Sequence, residues 1–201
     1  MPRIIGLTGN IACGKTSVGQ MLLALGAERY IDADALVHRL YEPGQLVTLQ
    51  ISQRFGPTLL TPSGSVDRKQ LGSLVFQNAE ALRALEAIVH PAVSQLVRAE
   101  ISTVSPTGIA ILDAVKLLEG GSASLCQSKW LVICPEAQEL ARLMQRNSLS
   151  EHDARVRLAA QPSVSARLPL VDEVIDNGGS LDDTRQQVLS AFQRFCVRFP
   201  A

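Results

Sequence analysis

Short apolar runs alternate with helical patterns along this chain. The run RIIGLTG (3–9) ends in glycine, and in the following KTSVGQMLLALG (15–26) apolar residues recur at helical spacing up to a glycine stop signal. Four more apolar runs predict strands: ERYIDAD (28–34), GIAILDA (108–114), KWLVICPE (129–136) and DEVIDNGG (172–179). The pattern therefore predicts five short strands, of which the first leads through a loop into a helix.

Helical patterns lie between these strands, as in PAVSQLVRAEIS (91–102), EAQELARLMQRNSLS (136–150) and LDDTRQQVLSAFQRF (181–195). Because strands that alternate with helices form parallel sheets covered on both faces, we expect an α/β fold with a five-stranded parallel sheet flanked by helices. The gap between the second and third strands, about 35–105, is longer than one crossover helix requires. Its mostly helical pattern, with turns at EPGQ and TPSGS, predicts a helical insert.

The composition narrows the class of protein. A chain of 201 residues with 46% hydrophobic and 19% charged residues is typical of one folded domain. Nineteen basic and nineteen acidic residues leave no net charge, so neither a nucleic acid nor a membrane surface is an expected partner. The N-terminus lacks the apolar core of a signal peptide and no apolar run is long enough to span a bilayer, so we expect a cytoplasmic protein.

The stretch GLTGNIACGKTS carries the strongest chemical signal. It fits G-x-x-x-x-G-K-[ST] between a predicted strand and a predicted helix, which is the context of a phosphate-binding loop. Backbone N–H groups of such a loop point at phosphate oxygens, its lysine reaches the β and γ phosphates of ATP, and its Thr hydroxyl ligates Mg²⁺. The nucleotide-binding residues predicted here are Gly9, Asn10, Ile11, Ala12, Cys13, Gly14, Lys15, Thr16 and Ser17.

Two aspartates follow the second predicted strand. Asp32 and Asp34 fall at its carboxyl end, where open parallel sheets bind ligands, and side chains two residues apart on a strand share a face. Phosphoryl transfer to a hydroxyl requires a carboxylate that accepts the hydroxyl proton. One of the two aspartates can serve as this base, and the alternative is that one caps the next helix.

An arginine-rich segment follows the fourth strand. Arg142 and Arg146 lie four residues apart, so both belong to one helix face, and Arg155, Arg157 and Arg167 follow without any lysine. The guanidinium fork pairs with phosphate oxygens, which favours a lid that closes over ATP. The alternative is an exposed face whose arginines pair with Glu136, Glu139 and Glu151.

Four weaker signals complete the set. Asp113 ends the third strand, in the position of a carboxylate that orders the hydration shell of Mg²⁺. Taken locally, His90-Pro91 indicates a helix start with proline in its first turn. Asn177 precedes two glycines and can simply occupy a turn. Cys13 lies near a helix N-terminus, which lowers a thiol pKa, but we expect only its backbone to act.

These motifs, in this order, resemble dephospho-CoA kinases along nearly the whole chain. IGLTGNIACGKTSV is similar to the phosphate loop of that family, and YIDADALVHRLYEPG to its aspartate motif. FGPTLLTPSGSVDRKQLGSLVF and LEAIVHP correspond to the elements that contain Arg68 and His90. RLMQRNSLSEHDARVRLAAQ and VDEVIDNGG are similar to the lid and the last strand, including Gln161 and Asn177.

The resemblance implies a P-loop kinase core with a helical substrate-binding region and a lid, and phosphorylation by ATP of the ribose 3′-hydroxyl of dephospho-CoA. It implies that Asp32 is the base, that Lys15 and Arg142 stabilise the transferred phosphoryl group, and that Asp34, Arg68 and His90 face the acceptor. Asn177 falls in the adenine-side loop, and a monomer is favoured. The boundaries expected are core 1–36, 106–135 and 168–201, substrate-binding region 37–105 and lid 136–167.

The chain departs from the family pattern after the third strand. Many members have Asp-x-Pro-Leu-Leu-x-Glu there, whereas this chain has DAVKLLE from Asp113 to Glu119, without the proline and with a lysine. The residues alone also fit another small-molecule P-loop kinase, acting on a nucleoside, a nucleotide or shikimate. A GTP-dependent switch is less consistent with the sequence, because the chain has no N-K-x-D element.

Overall fold

The computed structural model describes the backbone of residues 1–201 and every side chain except that of Phe76. The strands are β1 (Arg3–Gly9), β2 (Arg29–Asp32), β3 (Ile109–Asp113), β4 (Ser128–Ile133) and β5 (Glu173–Asp176). The helices are α1 (Lys15–Ala24), α2 (Ala33–Leu40), α3 (Leu46–Phe55), α4 (Arg68–Phe76), α5 (Ala79–Ser102), α6 (Glu136–Asn147), α7 (Glu151–Ala159), α8 (Val164–Arg167) and α9 (Leu181–Arg198). Short 3₁₀ turns cover Pro57–Leu59, Gly121–Leu125 and Leu168–Leu170.

The five strands form one sheet in the order β2-β3-β1-β4-β5, and every neighbouring pair is parallel. This confirms the predicted five-stranded α/β sheet. Strand β1 lies between β3 and β4, so the chain leaves the carboxyl end of β1 at the point where the strand order reverses direction. Ligands bind at such points in open parallel sheets, and the glycine-rich loop begins here.

The strands are apolar because both faces of the central sheet are covered. All five residues of β3 are buried, as are six of the seven residues of β1. One face packs against α1 and α9 in a cluster that includes Ile5, Trp130, Leu22 and Phe192. The near-continuous hydrophobic runs in the sequence thus reflect burial on two sides.

The chain divides into two compact units, residues 1–32 with 101–201, and residues 33–100. The second unit contains α2, α3, α4 and most of α5, and has its own apolar core. Ile51, Leu71, Val75 and Val89 are among the buried residues of this core.

The expectation that a helix starts at Pro91 is wrong, because Pro91 lies inside the continuous helix α5. A proline inside a helix removes one backbone N–H and clashes with the preceding turn. The helix nevertheless continues, because residues on both sides of Pro91, such as Leu85 and Val93, pack against the same core. Tertiary packing therefore outweighs the local stop signal.

None of the described helices is both long enough and apolar enough to cross a membrane. The four cysteines are free thiols.

Candidate active site

The glycine-rich loop connects β1 to α1, and the structure requires glycine at two of its positions. Gly9 has φ 150° and Gly14 has φ 103°, backbone conformations that residues with a side chain rarely adopt. A Cβ atom at Gly14 would lie 1.9 Å from Nδ2 of Asn177, and one at Gly9 would lie 2.4 Å from the carbonyl oxygen of Val132. The pattern glycines are therefore required both by backbone conformation and by close packing.

A pocket of about 410 Å³ opens beside the loop. It is lined by Ala12, Gly14, Lys15, Thr16, Arg142, Gln145 and Arg146. Helix α1 begins at Lys15, so the N–H groups of its first turn have no acceptor within the helix and carry the positive end of the helix dipole. A pocket with these donors and three cationic side chains suits the phosphates of a nucleotide.

Lys15 folds back over the loop. Its Nζ donates to the carbonyl oxygens of Gly9, at 3.2 Å, and Asn10, at 3.5 Å, and lies 4.0 Å from Oδ1 of Asp113. The ammonium group is thus held at the carboxyl ends of β1 and β3. From this position it can bridge phosphate oxygens that enter the pocket.

Two carboxylates lie at the carboxyl ends of neighbouring strands. Asp32 of β2 pairs in register with Asp113 of β3, and Asp32 is exposed whereas Asp113 is buried. The Tyr30 hydroxyl donates to Oδ2 of Asp113. Burial and the Asp113 charge raise the pKa of Tyr30, while a hydrogen bond with the Thr16 side chain acts in the opposite direction. Tyr30 therefore brings the Thr16 hydroxyl and the Asp113 carboxylate together.

Arg142 of α6 reaches the loop backbone. Its Nη1 lies 3.4 Å from the carbonyl oxygen of Ala12 and 3.5 Å from that of Cys13, and its Nη2 donates to Oε1 of Gln138 at 2.9 Å. Gln138 lies four residues earlier on the same helix, so helical spacing could have indicated this support. Arg146 also lines the pocket, so the structure brings both arginines beside the loop.

Asn177 does more than occupy a turn after β5. Its Nδ2 donates to the carbonyl oxygen of Cys13 at 2.9 Å, and its Oδ1 accepts from the Thr184 hydroxyl at 3.2 Å. The side chain is buried. Asn177 thus holds the second half of the loop through its backbone.

The arginines that follow α6 differ in exposure and in their contacts. Arg155 forms ion pairs with Glu151, at 2.7 Å, and Glu136, at 3.9 Å, on an exposed surface, as the alternative interpretation expected. Arg167 is only 1% exposed, and its Nη1 donates to Oδ1 of Asn10 at 3.2 Å. Arg142, Arg146, Arg155 and Arg167 therefore do not form one phosphate-binding set.

Arg167 and Glu139 support the loop through contacts that the sequence pattern does not indicate. Arg167 also donates to the carbonyl oxygen of Val115, at 3.1 Å, and its Nε lies 3.6 Å from Glu119. Glu139 is buried and accepts from Nδ2 of Asn10 at 3.4 Å. The Asn10 side chain thus links the loop to α6 and α8. These contacts join distant parts of the chain, so no local signal indicated them.

The Cys13 thiol shows the opposite pKa shift from that expected at a helix N-terminus. Burial raises its pKa to about 12, and the nearby Lys15 only partly offsets this effect. Desolvation therefore outweighs the helix dipole, and Cys13 fills the core beneath the loop.

Three predicted acceptor residues lie in the second compact unit, each exposed. Asp34 is in the first turn of α2, Arg68 is the first residue of α4, and His90 is within α5. The side chain of Asp67, just before Arg68, caps α4 by accepting from the backbone N–H groups of Lys69 and Gln70. The roles of Asp34, Arg68 and His90 toward an acceptor stay predictions.

A parallel sheet, a loop of this pattern at its switch point and an arginine-lined pocket define the P-loop kinase class of proteins. A sequence model of the dephospho-CoA kinase family matches residues 3–183, and the chain belongs to this family. A dephospho-CoA kinase of Carboxydothermus hydrogenoformans is 40% identical over 96% of this chain and 94% of its own length. A crystal structure of a Thermus thermophilus protein has a TM-score of 0.84 and 32% identity, covering 96% of this chain and 97% of the other.

A shikimate kinase of Acinetobacter baumannii shares the fold at a TM-score of 0.53 with 15% identity, over 100% of this chain and 97% of its own. At this identity the likeness concerns the fold alone. Family membership thus comes from the full-length sequence match and not from the fold.

Proposed function

We propose that this protein transfers the γ-phosphoryl group of ATP to the ribose 3′-hydroxyl of dephospho-CoA, which yields coenzyme A and ADP. The observation that carries the proposal is the arrangement at the sheet edge in a chain of the dephospho-CoA kinase family. There Lys15 lies 4.0 Å from Asp113, and Asp113 is in register with Asp32. A phosphate site and an exposed carboxylate thus share one edge.

The loop and α6 supply the donor side. The phosphates of ATP occupy the pocket, where backbone N–H groups of the loop and α1 bind them. Lys15 and Arg142 then stabilise the charge on the transferred group, because both cations are held in place before the reaction begins. Arg146 lines the same pocket and adds positive charge near its mouth.

Asp32 acts as the base. The acceptor oxygen forms a bond to the γ phosphorus while the bond from that phosphorus to the β–γ bridging oxygen breaks, and the hydroxyl proton passes to the Asp32 carboxylate. Asp32 fits this role better than Asp113, since Asp32 is exposed whereas Asp113 is buried against Tyr30. Asp34, Arg68 and His90 complete the proposal by binding the acceptor.

The residues at the sheet edge fit Mg²⁺. No group of three or more His, Cys, Asp or Glu side chains among the described residues could hold a metal by itself. Mg²⁺ in kinases is instead held by few protein oxygens, waters and substrate phosphates. The Thr16 hydroxyl, with Asp113 acting through the hydration shell, would hold the ion, which would neutralise charge on the phosphates. The shared contact with Tyr30 supports this pairing.

We further propose that the protein acts on a small-molecule acceptor, binds no nucleic acid, and works as a monomer in the cytoplasm. The absence of net charge on the chain supports the expectation that no nucleic acid binds.

A coupled assay of ADP release tests the function. Purified protein is given ATP and Mg²⁺ with dephospho-CoA, adenosine, AMP or shikimate in separate reactions. We expect rapid ADP release only with dephospho-CoA. Turnover of AMP or shikimate without turnover of dephospho-CoA would contradict the proposed acceptor. Stoichiometric GTP binding without phosphoryl transfer would instead favour a nucleotide-dependent switch.

A further inference from the structure

Gln161, just beyond the end of α7, contacts the phosphate loop directly. Its Oε1 accepts a hydrogen bond of 2.8 Å from the backbone N–H of Ile11, the third residue of the loop pattern. The two residues are 150 positions apart in the chain, and both belong to the first compact unit. The contact therefore links the far end of α7 to the loop.

The amide of Gln161 is oriented by its own surroundings. Its Nε2 donates to the carbonyl oxygen of Arg157 at 3.4 Å, and its backbone N–H donates to that of Leu158 at 3.1 Å. With the amino group directed at α7, the carbonyl oxygen is left for the loop. The Ile11 side chain packs with Ala154 and Leu158 of α7, so apolar contact and hydrogen bond hold the same part of the loop.

The next loop residue has an unfavourable conformation. Ala12 has φ 65°, in the left-handed region, which is unfavourable for a residue with a side chain. Such a conformation persists only where the surrounding structure fixes it. Gln161 holds the Asn10–Ile11 peptide, one residue before Ala12, and Arg142 and Asn177 hold the carbonyl groups that follow. The loop is thus held from both sides of the strained residue.

Gln161 does not compete with phosphate for the loop. Neither Gln161 nor Ile11 is among the residues that line the pocket, whereas Ala12, Gly14, Lys15 and Thr16 are. The contact therefore supports the loop from outside the pocket, and it can persist when a nucleotide binds.

We propose that Gln161 is a positioning residue for ATP, which holds the Ile11–Ala12 turn in the shape that binds phosphate. This inference rests on the proposed function only in taking ATP as the donor. Gln161 itself touches neither the nucleotide nor the acceptor, and acts through the loop backbone.

Two substitutions separate the hydrogen bond from side-chain size. Gln161→Met keeps a similar volume without an acceptor oxygen, and Gln161→Glu keeps an acceptor at the same reach. Gln186→Met, on the exposed surface of α9, is the matched control. The affinity of each variant for a non-hydrolysable ATP analogue with Mg²⁺ is measured by calorimetry, and KM for ATP and for dephospho-CoA by the coupled assay.

We expect Gln161→Met to weaken analogue binding and raise KM for ATP about three- to tenfold, the scale of one lost hydrogen bond. KM for dephospho-CoA should change less than about twofold. Gln161→Glu should retain most of the affinity, and Gln186→Met should match the parent protein. Calorimetry is carried out without an acceptor, so its result does not depend on which acceptor the protein phosphorylates.

Three results would overturn the inference. The first is a Gln161→Met variant that binds the analogue as tightly as the parent protein. The second is a parallel rise in both KM values with a fall in kcat, which indicates general structural damage. The third is a Gln161→Glu variant that loses as much affinity as Gln161→Met, since the acceptor oxygen would then not be what positions the loop.

Discussion

At the scale of single residues, the site combines groups that the sequence marks with groups whose roles depend on burial. Lys15 and Asp32 are marked by motif and strand position, and the structure places both at the same sheet edge. The alternative interpretation of the arginine-rich segment placed Glu139 on an exposed face, yet Glu139 is buried beside Asn10. Residue type indicates which chemistry a side chain can perform, but burial determines its pKa and its contacts.

Replacing Asp32 tests the proposed base. Asp32→Asn keeps the size of the side chain but removes proton acceptance, so turnover should fall about 10²-fold or more. Binding of an ATP analogue should survive, because the phosphate pocket does not include Asp32. Stopped-time ADP release and calorimetry measure the two effects, with Asp182→Asn on exposed α9 as control. Turnover within about threefold of the parent protein would remove Asp32 from the mechanism.

Neutralising Glu139 should stabilise the protein at neutral pH. Burial raises the pKa of Glu139, and the hydrogen bond from Asn10 only partly offsets it. A carboxyl group whose pKa is higher in the folded state than in the unfolded state costs stability once pH rises above the unfolded value. Glu139→Gln removes this cost and keeps an acceptor for Asn10.

Urea unfolding at several pH values measures this effect. The free energy of unfolding of Glu139→Gln should exceed that of the parent protein at pH 7, and the difference should shrink as pH falls through about 4.5, below which the glutamate becomes mostly protonated in both states. A variant less stable than the parent at pH 7 would show that the charge of Glu139 favours folding through Lys15.

At the scale of elements, caps and packing determine where helices begin and continue. Ser180 precedes α9 and forms a capping box, in which its side chain accepts from the Asp183 N–H and Asp183 accepts from the Ser180 N–H. Helix α5 shows the opposite case, since it continues through Pro91 because both of its halves pack on one core. Local sequence signals therefore predict a helix end correctly where a capping side chain is present, and predict it wrongly where tertiary packing outweighs them.

Removing the Ser180 cap should destabilise the protein without changing the site. Ser180→Ala leaves the Asp183 N–H without its acceptor, and a lost cap of this type costs about 1 kcal/mol. Ser190→Ala, on the same helix but away from its start, is the control. Denaturant unfolding measures both, and equal stability of the two variants would contradict a stabilising role for the cap.

At the scale of the whole molecule, nucleotide binding should be linked to stability. A ligand that binds only the folded protein raises the free energy of unfolding by about 2.7 kcal/mol at a concentration of 100 Kd. We expect this rise, followed by thermal unfolding, with a non-hydrolysable ATP analogue and Mg²⁺, and a smaller one after EDTA. Lys15→Ala should abolish most of it. The same stabilisation in Lys15→Ala as in the parent protein would place the nucleotide outside the loop pocket.

The five strands, the loop and its lysine were predictable from the sequence, because apolar runs and the glycine-rich loop pattern consist of residues close together in the chain. Its motifs, taken in order, also predicted the family. Three features follow only from the folded structure: Asn10 links the loop to Glu139 and Arg167, Gln161 holds Ile11, and Cys13 is a core thiol whose pKa is raised by burial. These features depend on contacts between distant segments and on desolvation, and neither is visible in local spacing.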